Sequence, residues 1–304
     1  MKSQPKIFRS ITELHKAMGQ ARPLHPLISI LNYGQAVFDP TDFEQGIILD
    51  FYKISFKTNF SGKLRYGQGY YDFEEGGMSF VAPGQILKMQ DEEANYDGMS
   101  LHIHPDFIRP YPLNTTIKQY GFFNYSASEA LYLSDKEKET ILGVFHKIQE
   151  ELEERLDHFS QDVIIAQIEL LLHYSNRFYN RQFITRKAVN HDVLSKLELL
   201  LHDYFNDEAS MKTGLPTVHF VAEQLHLSPR YLSDLLRNLT GQNTQQFIHD
   251  KLIEKAKEYL SKDNLTVAEV AYLLGFEHPQ SFNKLFKKKT NFTPTAFKQS
   301  FHHN

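Results

Sequence analysis

The 304-residue chain contains no cysteine and no tryptophan. Without a thiol there can be no disulfide, no zinc–thiolate centre and no cysteine nucleophile. The missing indole carries no functional message. No apolar run approaches the ~18 residues of a membrane-spanning helix, and the opening MKSQPKIFRS has no apolar signal core. The expected address is therefore the cytoplasm, with no membrane partner. GxSxG, P-loop and GxGxxG patterns are also absent, and no catalytic constellation replaces them, so neither enzymatic activity nor a cofactor is expected. What is present is 41% hydrophobic and 13% aromatic residues, enough for the cores of two ordinary domains.

The net charge of −4 lacks the basic excess of a nucleic-acid binder, but it is unevenly placed. From Ser210 onward there are 12 Lys and Arg against 8 Asp and Glu, leaving 21 against 29 before that point. A basic tail on an acidic body is what phosphate binding at one end of a chain requires.

The last ninety residues state one pattern twice. Val218–Phe247 reads VHFVAEQLHLSPRYLSDLLRNLTGQNTQQF, and Val267–Phe297 reads VAEVAYLLGFEHPQSFNKLFKKKTNFTPTAF. Ala222 aligns with Ala271, Leu225 with Leu274 and Leu227 with Phe276; after one inserted residue Leu232 meets Phe282, Leu236 meets Phe286, Arg237 meets Lys287 and Phe247 meets Phe297. Two copies are too few for a solenoid. Each has a short apolar helix, a tight turn and a second helix with one polar face, the layout of a helix-turn-helix whose second helix enters the major groove of DNA.

Helical geometry then separates the buried from the outward positions. In the first copy Ser228-Pro229 caps and opens the second helix; Leu232, Leu235 and Leu236 point inward, and Arg230, Ser233, Asp234 and Arg237 outward. In the second, His278-Pro279 opens the helix; Phe282, Leu285 and Phe286 point inward, and Gln280, Asn283, Lys284 and Lys287 outward. Arg and Lys suit guanine O6 and N7, Gln and Asn suit adenine N6 and N7, and Asp can accept from cytosine N4 or instead form a pair on the helix surface. Lys288 and Lys289, near the helix end, are placed for phosphate. Thr244–Ser261 between the copies is helical in pattern and about 27 Å long, a core element that also holds the two reading helices near the ~34 Å repeat of successive major grooves.

The rest of the chain reads as two regions. Between Gly46 and Pro105 the segments IILDFYKISFKT, GKLRYGQGYYDF, GGMSFVAP and GMSLHIHP alternate apolar and polar residues with Gly, Asn and Asp between them, the mark of a sandwich or barrel. From Ser134 the period becomes helical. Asp135–His158 carries Ile141, Leu142, Phe145, Ile148 and Leu152 behind a Ser134/Glu137 capping box, and Ser160–Arg181 carries Val163, Ile164, Gln167, Ile168, Leu171 and Leu172. Arg181–Asn190, polar and basic, reads as a linker, and His191–Phe205 as a further amphipathic helix. The expected fold is α+β. Residues 1–133 form a barrel-like domain, 134–189 a helical segment and linker, and 190–304 an all-α domain with both helix-turn-helix motifs.

The second copy, with Ala271, Gly275-Phe276, Ser281-Phe282, Phe286-Lys287 and Pro294, and the first, with LSPRYLSDLL, Gly241 and Lys251-Leu252 followed by Ala256, resemble the DNA-binding domain of the AraC/XylS family of transcriptional regulators. Asn291 stands where that family usually has glycine, and Lys251 and Lys298 where arginine is usual. YDFEEGGMSFVAPGQ and LHIHPDF resemble, more loosely, the family's cupin-like sensory domain. The resemblance implies a sequence-specific regulator of double-stranded DNA, a small-molecule effector in the N-terminal domain, a homodimer through residues 134–181 (helices that could equally just cover the barrel) and, for an activator, RNA polymerase as partner.

Two readings compete with this one. Alternate residues of a barrel interior would include Tyr66, Tyr70 and Tyr71, suited to stacking on a ring-shaped effector or to plain core packing. His102 and His104, two apart in a strand, share a face and could approach one metal ion of a cupin-type enzyme. They lie in the last strand, however, with no HxH upstream, which favours a structural role and no metal. A sugar-binding protein with a basic helical tail is the remaining alternative.

Overall fold

The computed structural model describes residues 5–35, 46–59, 64–66, 69–71, 76–87, 97–126, 129–154, 157, 159–185, 187–206, 213–261 and 265–300. It divides into two units, Met1–Thr185 and Arg186–Asn304. The first joins sheets to helices and the second is helical, an α+β chain.

The N-terminal unit is organised by five antiparallel-paired strands in the order β10(Leu131–Tyr132), β7(Gly77–Val81), β4(Tyr52–Asn59), β9(Asp97–Ile103), β2(Ile28–Asn32). A three-stranded sheet of β1(Lys6–Phe8), β3(Ile47–Leu49) and β8(Ile86–Leu87) is hydrogen-bonded separately from it, as is a ribbon of β5(Leu64–Tyr66) and β6(Gly69–Tyr71). Among the described residues these three sheets do not close into a barrel, since β2 and β10 are edges of the larger sheet.

Alternation decides the faces of the five-stranded sheet. Ile54 pairs with Phe80 and Leu101, and Phe56 with Met78 and Met99, making an apolar face; Met78 on it meets Ser175 of α5(Ser160–Thr185). The opposite face carries Ser29, Ser55, Ser100 and His102, all buried. Helix α1(Ile11–Ala17) supplies His15, whose Nε2 lies 3.0 Å from Ser29 Oγ. Short helices α2(Pro105–Ile108) and α3(Leu113–Thr116) follow the sheet. Next comes α4(Asp135–Glu153), opened by the Ser134/Glu137 capping box and packed along α5.

Helix α5 departs from the sequence expectation at both faces. Ile164, Ile168, Leu171 and Leu172 are buried as the period predicts, whereas Val163 is 42% exposed. The segment read as a linker begins inside the helix. Gln182 Oε1 accepts from Tyr132 N–H at 2.8 Å, its Nε2 donates to Ala130 O at 3.2 Å, and Phe183 is buried. Arg181 bonds Tyr132 O and both carboxylate oxygens of Glu137. These polar side chains serve the edge strand β10 rather than solvent, which a composition rule cannot distinguish from a linker.

The C-terminal unit has one continuous core. Helix α6(Lys187–Asn206) contributes Leu197, Leu201 and Phe205, and the two helix-turn-helix copies contribute Val221, Leu232, Leu236, Val270, Phe282 and Phe286. Between the copies, α9(Thr244–Leu260) adds Phe247, Ile248, Leu252, Ile253, Ala256 and Leu260. At roughly 1.5–3 kcal/mol for each fully buried large side chain, this core far outweighs any surface pair described below.

Candidate nucleic-acid interface

The first copy is α7(Val218–Gln224), a turn, and α8(Pro229–Thr240). The second is α10(Val267–Leu273), a turn, and α11(Pro279–Thr290), followed by α12(Pro294–Gln299). The turns have the same hydrogen bonds. Leu227 N–H donates to Ala222 O at 2.9 Å and His226 N–H to Glu223 O at 3.0 Å; Phe276 N–H donates to Ala271 O at 3.0 Å and Gly275 N–H to Tyr272 O at 2.9 Å. This is the Schellman closure, and it needs a left-handed residue at its apex. The apex is Gly275 at φ 87° in one copy and His226 at φ 56° in the other.

The second helix of each copy begins with proline and ends left-handed. Ser228 Oγ accepts from Tyr231 N–H at 3.2 Å, while His278 makes no side-chain cap bond. Gly241 closes α8 and Asn291 closes α11 at φ 64°, their N–H groups donating to Arg237 O and Lys287 O. Asparagine thus takes the conformation for which glycine is the usual residue.

The outward faces differ. On α8, Asp234 Oδ2 accepts from Arg230 Nε at 3.0 Å and its Oδ1 from Arg237 Nη1 at 2.9 Å. The arginines are exposed and the aspartate side chain is only 15% exposed, so the carboxylate sits beneath and between two guanidinium groups. Ser233, expected to face outward, turns its hydroxyl to within 2.9 Å of Thr244 Oγ1, and Thr244 is fully buried. The reason is tertiary: the N-terminus of α9 lies against that side of α8. Tyr231, absent from the expected core, is buried as well.

On α11 the expected residues stand clear. Gln280, Asn283, Lys284, Lys287, Lys288 and the preceding His278 are all exposed, above buried Phe282 and Phe286; Leu285 is only partly buried. Lys289, read as a companion of Lys288 for phosphate, is instead paired with Asp250 of α9, 2.5 Å from Nζ to Oδ1. Lys298, at a position where arginine is usual, donates to Leu265 O at 2.6 Å and so ties α12 to the segment preceding α10. Neither Thr244 nor Asp250 was singled out by sequence pattern, because both act through neighbours some ten to forty residues away.

In the N-terminal unit the two histidines part company. His102 is buried in β9 with Nε2 3.3 Å from Ser100 Oγ and no partner for Nδ1, and burial, reinforced by Lys53 and His15, holds its pKa well below the usual 6.5. His104 lies past the strand end, where its Nδ1 accepts from Asp106 N–H at 3.2 Å and caps α2. No group of three or more His, Asp or Glu placed to hold a metal occurs among the described residues. Tyr66 and Tyr70 lie on the β5–β6 ribbon with Tyr71, outside the five-stranded sheet; their side chains fall outside the described residues.

Residues 221–300 match a family described as a helix-turn-helix domain. The chain is 29% identical over 143 residues to the HTH-type transcriptional activator RhaS of Escherichia coli O139:H28, covering 46% of each chain. It is 28% identical over 141 residues to RhaS of Salmonella paratyphi B, again at 46% of each. The chain thus spans about half the length of the curated relatives it matches. Among solved structures, the C-terminal domain of the two-component response regulator yesN from Fusobacterium nucleatum is 27% identical, with a TM-score of 0.31, covering 35% of this chain and 98% of that one.

Proposed function

We propose that residues 221–300, which match a helix-turn-helix domain, are of AraC type and that the chain is a sequence-specific, double-stranded-DNA-binding transcriptional regulator. The observation that carries the reading is the duplication. Two helices with matched turns and opposite buried and exposed faces are joined through one rigid helix of seventeen residues, about 26 Å long. That spacing lets α8 and α11 enter adjacent major-groove segments on one face of the duplex.

In this reading Arg230 and Arg237 address guanine edges from α8, with Asp234 orienting both and open to a cytosine N4 amine, while Ser233 gives its hydroxyl to Thr244. Gln280, Asn283, Lys284 and Lys287 meet bases or backbone from α11, and His278 and Lys288 meet phosphate. Activation, with RNA polymerase as partner, follows the function named for the relatives. A cytoplasmic site is consistent with the finding that no described helix is long and apolar enough to cross a membrane.

The N-terminal unit is read as a cupin-like sensory domain. Its polar sheet face, with Ser55, Ser100, His102 and Lys53, offers groups for a small effector; Tyr66, Tyr70 and Tyr71, the effector residues expected from the sequence, lie on a separate ribbon with side chains outside the described residues. Helix α5 is read as the homodimer element: Val163, Ala166 and Leu170, at spacings of three and four, form an exposed apolar stripe behind Phe159, which is 66% exposed.

Selection of bound duplexes from a random pool, at two salt concentrations, tests the whole reading. Enrichment of two short blocks about one helical turn apart is expected, doubled by a dimer and single in Leu170→Glu. Weak, steeply salt-dependent binding with no enriched sequence would reduce the C-terminal unit to a basic helical bundle.

A further inference from the structure

Asp250 bonds to the end of both helix-turn-helix copies. It lies on α9 with Oδ2 accepting from Gln242 Nε2 at 2.8 Å and Oδ1 accepting from Lys289 Nζ at 2.5 Å. Gln242 belongs to the turn by which the chain leaves α8, between Gly241 and the Asn243 cap of α9. Lys289 belongs to the last turn of α11. One carboxylate therefore spans the exits of both reading helices. The repeat does not dictate this: Lys289 aligns with Leu239, and Asp250 with Ser300, so the second copy has no such clasp.

The pairing also changes what Lys289 can do. Lys287, Lys288 and Lys289 follow one another at the helix end, and a lysine on a four-carbon stem ordinarily swings to whatever phosphate is near. Lys287 and Lys288 are exposed with no ion pair among the described residues, whereas the side chain of Lys289 is 26% exposed and is held against an Asp250 side chain that is 35% exposed. Burial, then Lys289 and Lys288, depress the pKa of His249, next to Asp250, below the usual 6.5, with Asp250 opposing them.

Given the DNA-binding reading, on which this rests, we propose that Asp250 is a positioning residue for two-headed recognition: it fixes the ends of α8 and α11 relative to each other and withholds Lys289 from the DNA backbone. Lys289 is thus a clasp residue, and the phosphate contacts of α11 come from its neighbours.

The test uses the full chain, with Asp250→Asn, Asp250→Ala, Lys289→Met and the Asp250→Asn/Lys289→Met double variant, each checked by thermal melting. Binding to the duplex enriched from the random pool is measured across salt concentrations, and on versions with the two blocks moved one base pair closer or farther apart. Each phosphate neutralised adds roughly 0.9 to the slope of log K against log salt. Asp250→Asn should therefore steepen the slope by about 0.9, Lys289→Met alone should leave it unchanged, and the double variant should return to the wild-type slope. Asp250→Ala, which also releases Gln242, should in addition lower discrimination against the shifted spacings by about threefold, the scale expected of a half-exposed pair. Flattening of the slope by Lys289→Met alone would overturn the proposal, because Lys289 would then be an ordinary phosphate contact. So would an Asp250→Asn slope equal to wild type. A wild-type chain that enriches no duplex would instead overturn the DNA-binding reading, and this proposal with it.

Discussion

Between Arg230 and Arg237 on the first reading helix sits Asp234; at the corresponding point of the second helix stands Lys284, between Gln280 and Lys287. The two copies share a turn, a closing left-handed residue and a core, yet one has a clamped pair of guanidinium groups and the other an unclamped set of amides and ammonium groups. The difference is one of preorganisation against charge. Asp234 cancels one of two positive charges on α8 and in return limits the conformations of both arginines, which favours directional bonding to base edges. Helix α11 keeps the charge of Lys284, Lys287 and Lys288 and leaves those stems mobile, which favours attraction to phosphate.

The comparison would break first at the core. Phe286→Ala should cost the C-terminal unit roughly 3–5 kcal/mol and, since one hydrophobic cluster runs through both copies, should weaken reading by α8 as much as by α11. Chemical denaturation together with footprinting of the two blocks checks this; loss confined to the block read by α11 would mean the copies fold independently.

At the surface, Arg230→Ala is expected to lose about 1–3 kcal/mol at the selected site and to relax preference at one base position. Normal binding by this variant would remove α8 from the role given to it. Lys284→Ala, its contrast on the second helix, should lower affinity more evenly across sequences and flatten the salt slope.

The turns give a smaller effect with a definite sign. Histidine in the left-handed region at position 226 is strained where glycine at 275 is not. His226→Gly should therefore stabilise the unit by up to about 1 kcal/mol, whereas Gly275→Ala should destabilise it by about 1 kcal/mol. Equal and opposite shifts in melting temperature would show that the two turns are energetically the same. The smallest change expected is at Lys288. Lys288→Met should reduce the salt slope by about 0.9 with sequence preference intact.

The same two turns show what was legible in the sequence. Gly275-Phe276 and Asn291 could be read because a left-handed position selects glycine or asparagine. His226 carries no such mark, and only the alignment of the copies points to it. The buried faces of α8 and α11 followed from helical period because their leucines and phenylalanines face a single core. Ser233 and Lys289 find bonding partners on the neighbouring helix, which the period of their own helix does not encode. In the N-terminal unit, β1, α1 and β2 are three to seven residues long, too short to show a period, and Gln182 looked like linker while satisfying an edge strand.

His102 has a consequence for acid tolerance. In the native unit burial keeps its imidazole neutral, whereas the unfolded chain takes up a proton below about pH 6.5. The unfolded state then binds more protons than the native one, so stability falls as the pH drops, by at most about 1.4 kcal/mol per pH unit for this single site. Mild acid should loosen the sheet-bearing half, and His102→Gln should remove much of that slope in denaturant melts at pH 7 and pH 5.5. Through this one ring, each pH unit below about 6.5 subtracts at most about 1.4 kcal/mol from the N-terminal half, a fraction of an ordinary domain's stability of roughly 5–15 kcal/mol.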